Sequence, residues 1–154
     1  MRIRIIPGPL ALLFLLFTGI AATADTASDS KTVGNVVVYM GLLPAEMIRG
    51  HPPTHAEATM HGGPPKQSGV YHVVIALFDA KSFARITKAD ISARVSEVGL
   101  TGEEKKLEPM EIAGTETYGN YFPMTGHGPF RISLTIHVPG QAQEIKVVFE
   151  HRHE

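Results

Sequence analysis

The chain has 154 residues, with 14 Lys and Arg against 15 Asp and Glu, and no Cys or Trp. That near-neutral balance, without a polybasic run or a basic stripe interleaved with aromatics, excludes a nucleic-acid binder and a binder of anionic membrane surfaces. The absence of cysteine excludes a disulfide-stapled scaffold, a thiolate metal site and a Cys nucleophile.

In chain order, basic Met1-Arg2-Ile3-Arg4 precedes an apolar run from Leu10 to Ile20, which ends in the small residues Ala22-Thr23-Ala24 before Asp25. This is the pattern of a cleavable signal peptide over residues 1–24. Pro7, Gly8, Pro9, Thr18 and Gly19 break the segment, whereas a membrane span needs about 20 continuous apolar residues. An uncleaved N-terminal anchor is the alternative. Cleavage would leave a soluble, exported, periplasmic chain with all eight histidines. Residues 25–32 (DTASDSKT) are polar and predict a flexible leader. Residues 33–154 then form one domain, long enough for a self-sufficient core.

Val36, Val38, Met40 and Leu42 alternate with Val37, Tyr39 and Gly41, predicting a first strand that ends at Leu43-Pro44. From Arg49 to Pro65 follows a long loop, RGHPPTHAEATMHGGPP, whose prolines and glycines oppose regular structure. Val70 to Asp79 (VYHVVIALFD) is apolar on both faces, as in a central strand covered on two sides or a strand near a partner surface. After a turn, with room for one helical turn between Ala80 and Ala89, strands are predicted at residues 90–98, 105–113, 118–122, 130–138 and 144–151. The clearest is Phe130 to Val138, where Phe130, Ile132, Leu134, Ile136 and Val138 alternate with polar residues. About seven strands with repeated turn signals predict an all-β protein, an antiparallel immunoglobulin-like β-sandwich.

The long loop carries His51, His55, Met60 and His61. Imidazole and thioether are the donors that copper takes from a protein without thiolates. The four-residue spacing of His51 and His55 would share a helix face, but Pro52 and Pro53 oppose a helix there. A solvated loop with idle histidines is the plain alternative. His72 lies inside an apolar strand, where an imidazole must be hydrogen-bonded or ligated. Met110 either fills a core gap or offers sulfur, and Met124 and His127 flank a tight turn at the rim. No Gly-x-Ser-x-Gly elbow, His-Glu-x-x-His motif or phosphate-cradling glycine loop is present, so neither an enzyme nor a small-molecule substrate is expected.

Gly128-Pro129-Phe130-Arg131-Ile132-Ser133-Leu134 resembles the penultimate strand of YtkA-like, FixH-like and CopC-like domains. Pro109-Met110 followed by Tyr118-Gly119-Asn120 is similar to a stretch of the periplasmic copper-binding accessory proteins of ferrous iron uptake. In that family a strand His, an acidic residue two positions later, a Met and a His just before Tyr-Gly build the metal site. Here His72 and Met110 match, while Val74 replaces the carboxylate and Thr117 the second His. If copper binds, the lost ligands would have to come from the His51 to His61 loop, whose composition suits them, or from Met124 and His127.

The expected function is a copper carrier or buffer of the bacterial cell envelope, with His51, His55, Met60, His61, His72 and Met110 as candidate ligands. Mixed Met/His ligation suits Cu(I), and mainly His ligation suits Cu(II). The rival is a metal-free interaction module or accessory subunit of a membrane complex, docking through the Val70 to Asp79 strand or a sheet edge. Either reading allows an envelope or membrane protein partner, and a homodimer could complete the site.

Overall fold

The inward side chains of Phe130–His137 are buried at every second position, as the period-two pattern requires, and Asp90–Glu97 and Ile145–His151 repeat this logic. The structure, a computed structural model, describes residues 29–52, 54 and 58–153, so the expected signal peptide and the first half of the expected leader lie outside the described residues. Eight antiparallel strands form one sheet: β1 (Ser30–Val33), β2 (Val36–Pro44), β3 (Val70–Asp79), β4 (Asp90–Glu97), β5 (Glu103–Ile112), β6 (Thr115–Pro123), β7 (Phe130–His137) and β8 (Ile145–His151). Their order across the sheet is β1-β2-β3-β6-β5-β4-β7-β8. A short helix, α1 (Ala45–Arg49), follows β2.

All-β antiparallel architecture is therefore as expected, whereas the seven-strand sandwich is corrected to a nearly closed, barrel-like sheet. The strand that makes the difference is β5. Residues from Glu103 to Leu107 pair with β4, and those from Glu108 to Ile112 pair with β6. One bent strand thus joins what a sandwich would keep as two sheets. Pro109, which has no N–H to donate, comes just after the last residue paired with β4, where the ladder on that side has ended. The sheet curls until β1 faces β8, and the Lys31 ammonium lies 5.5 Å over the Phe149 ring.

Three further expectations change. The leader gives way to structure earlier than residue 33, because Ser30–Val33 already pair with β2. Residues 80–89 hold a turn and a Phe78–Arg85 bridge in place of a helical turn. The long loop is not wholly irregular: Met60–Gly62 form one 3-10 turn. β3 is central, flanked by β2 and β6, so it offers no sheet edge for docking.

The barrel interior is a single apolar core, to which Val73, Ile75 and Leu77 contribute from β3. One end is closed by the C-terminal tail. His153 donates its Nε2 proton to the Met124 carbonyl at 2.9 Å, and the Tyr71 hydroxyl donates to His153 Nδ1 at 3.2 Å. The ring of His151 lies 5.1 Å from that of His153. Burial, then the charge of His153, push the His151 pKa below its ordinary value of about 6.5, with Asp29 opposing. The unfolded chain therefore takes up the proton more readily than the folded one. The corresponding stability is complete above about pH 6.5 and is lost as pH falls through the lower folded value. Thermal melts should shift downward from pH 7 to pH 5, and the shift should shrink in His151→Phe; an unchanged slope would mean that other groups carry it.

Candidate metal centre

Strand register gathers one cluster on the outer face of the sheet. Cross-strand partners in an antiparallel ladder point to the same side. Gly41, Val74, Gly119 and Glu108 form one such row across β2, β3, β6 and β5. Leu43, His72 and Tyr121 form the row on one side of it, and Thr117 with Met110 the row on the other. Residues far apart in the chain thus share a patch centred on Gly119, the one position in the middle with no side chain.

His72 and Met110 meet in that gap. A Cβ placed on Gly119 would lie 2.7 Å from both His72 Nε2 and Met110 Cε, so the imidazole nitrogen and the thioether methyl are no further apart than twice that distance. The His72 ring is 1 % exposed and stacks on Tyr121 with centroids 4.5 Å apart. Tyr121 packs in turn with Ala45 and Ile48 of α1, which roofs this part of the face.

His61 closes the cluster from the loop. Its ring centroid is 5.3 Å from that of His72 and 6.0 Å from that of Tyr121. Two local features bring it there. Arg49 donates to the Pro65 carbonyl and ties the ends of the loop together. His61 itself adopts φ 55° and ψ 29°, left-handed backbone that a non-glycine residue occupies only where the surroundings hold it. Its side chain is 6 % exposed, and its Nδ1 lies 2.7 Å from Glu108 Oε2. A carboxylate only accepts, so Nδ1 carries a proton, and in the neutral ring the lone pair is on Nε2. That Nε2 is buried without a hydrogen-bond partner.

A buried imidazole held by a carboxylate on one nitrogen, with an uncommitted lone pair on the other, is the arrangement of a metal-ligating histidine. The donors at hand are two imidazoles and one thioether, which fits a soft or borderline metal. Among the described residues no three His, Asp or Glu side chains could hold a metal by themselves, so the sulfur of Met110 is needed to make a third donor.

Met60 is half-buried in the turn beside His61. His51 follows α1, its N–H on the Ile48 carbonyl at 3.0 Å. His55 lies outside the described residues. Met124 is a core residue and His127 is exposed, so the rim pair does not form a site. Sequence reasoning missed Glu108 and Tyr121. Glu108 had a signal, since it stands two residues before Met110 and so on the same face of a strand.

Fold and cluster together define a class: a small all-β barrel-like protein with a His/Met cluster on the outer face of its sheet. Solved structures match it over most of the chain. FetP of uropathogenic Escherichia coli strain F11 superposes with a TM-score of 0.62 at 15% identity, covering 82% of this chain and 93% of that one. A DUF4426 family protein of Pseudomonas aeruginosa PAO1 gives 0.60 at 12%, covering 82% and 94%. A copper-bound variant of the Campylobacter jejuni protein P19 gives 0.56 at 13%, covering 81% and 94%. These likenesses establish the shared fold. No protein-family model and no curated protein sequence matches the chain.

Proposed function

We propose that this protein binds one copper ion through His61, His72 and Met110, and that it carries or buffers the metal in the bacterial cell envelope for a protein partner, without turnover. The observation that carries this reading is the meeting of the buried His72 imidazole and the Met110 side chain at Gly119, with the buried His61 ring brought by the loop to 5.3 Å from that of His72. Copper occupies variants of FetP and of P19, which share the fold, and that supports the choice of metal. The signal peptide expected over residues 1–24 supports an exported location. His61 stands in for the histidine that Thr117 replaces, since the Thr117 hydroxyl donates to the Met110 carbonyl at 3.3 Å and so is turned to the backbone.

Calorimetric titration with copper tests the reading. The expected result is a one-to-one complex that is lost in His61→Ala and retained in His51→Ala. Absence of binding to the intact protein would overturn it and favour the interaction module. One observation serves that second reading. Tyr39, Phe78 and the 69 % exposed Phe83 line an outer-face cleft of about 360 Å³ with Ala76 and Arg85, an apolar surface of the kind that binds partners.

A further inference from the structure

The charge of the cluster says which oxidation state it suits. Each proposed donor, His61 Nε2, His72 Nε2 and the Met110 thioether, is neutral when it binds a metal. The carboxylate that reaches a ring of the cluster among the described residues, Glu108, is committed to Nδ1 of His61, and its side chain is 59 % exposed. The other place in the central row where a carboxylate could touch the metal is taken by Val74, paired with Gly119. Burying a divalent ion among neutral donors leaves two charges to be compensated at a site shielded from water. A monovalent ion leaves one, and Glu108 can offset it through the imidazole. Thioether sulfur also favours the softer ion.

We propose that the centre is selective for a soft monovalent cation, Cu(I) and equally Ag(I), over Cu(II), with Glu108 as a positioning residue that holds His61 and balances the charge without ligating. This rests on the copper reading above and narrows it to one oxidation state. Val74 is the specificity-determining position, because its apolar side chain denies a divalent ion an anionic ligand beside Gly119.

The test is competition against chromophoric chelators: Cu(I) and Ag(I) under anaerobic reducing conditions, and Cu(II) in air. The intact protein should bind Cu(I) at least about 1000-fold more tightly than Cu(II), which raises the potential of the bound couple by about 180 mV over the unbound one, at 59 mV for each factor of ten. Glu108→Gln keeps an oxygen able to accept from Nδ1 but removes the charge. It should weaken Cu(I) and Ag(I) by about 10-fold to 100-fold at unchanged stoichiometry, weaken Cu(II) at least as much because the lost charge costs the divalent ion more, so that the potential does not fall, and leave the thermal midpoint in place. Val74→Glu should strengthen Cu(II) by at least about 10-fold and narrow the gap between the two states. Equal or tighter binding of Cu(II) by the intact protein overturns the selectivity while leaving copper binding intact. Failure to bind either state overturns the copper reading itself. A Glu108→Gln protein that binds Cu(I) as the intact one does would remove the role given to Glu108.

Discussion

The double variant His72→Phe, Met110→Leu is expected to remain folded and to bind copper more than about 100-fold more weakly, beyond the range that loss of an outer partner costs. The two substitutions are chosen to separate shape from chemistry. Met110 is 6 % exposed, and truncation to Ala would add a cavity cost of about 2–5 kcal/mol that could mask any effect on binding. Leucine keeps the volume at a cost below about 1.5 kcal/mol and removes only the sulfur. Phenylalanine at 72 keeps a ring stacked on Tyr121 and removes both nitrogens from a position that is 1 % exposed. Loss of the polar ring removes one side of its interaction and costs about 1–3 kcal/mol, within the stability of a domain. Chemical denaturation and copper titration on the same preparation give the two readouts. A folded double variant that holds copper as tightly as the parent would move the metal away from this patch.

The strand pattern was legible in the sequence because burial on one face leaves a period of two. From Phe130 to His137 every inward position is apolar, and the structure buries each of them. Closure toward a barrel was not legible, because it depends on β5 changing partners between Leu107 and Glu108, a matter of register between strands that no local pattern records. β1 escaped notice because Ser-Lys-Thr-Val has one apolar residue, and an edge strand needs little more. The cluster shows the same division. His72 was conspicuous as the polar residue of an apolar strand. His61 and His51 looked equivalent on the loop, and what separates them is the left-handed backbone at 61 together with the Glu108 carboxylate, which folding alone brings within 2.7 Å across 47 residues of chain.

Gly119→Ala is expected to weaken copper binding by about 100-fold or more, a change of one methyl group acting on two ligands at once. Gly119 does not adopt the left-handed backbone that would make alanine strained for conformational reasons, so the effect is steric. The added Cβ would meet His72 Nε2 and Met110 Cε at 2.7 Å and the Val73 carbonyl at 2.9 Å, all closer than the 3.0 Å below which real Cβ contacts essentially never fall. The carbonyl belongs to the neighbouring strand and cannot retreat without breaking the β3–β6 ladder, so the two side chains must give way. Overpacking of this kind costs about 1–3 kcal/mol of stability, and the displaced side chains are the proposed ligands. Gly41→Ala is the matched control. It stands in the same cross-strand row on the other side of Val74, and its Cβ would meet Val74 Cβ at 3.9 Å and Leu43 Cδ1 at 4.0 Å, ordinary contacts. Titration of both variants should show the control binding as the parent does and Gly119→Ala failing. If Gly119→Ala loses stability as expected yet retains copper, the gap at 119 serves strand packing alone, and the ligands must meet the metal elsewhere.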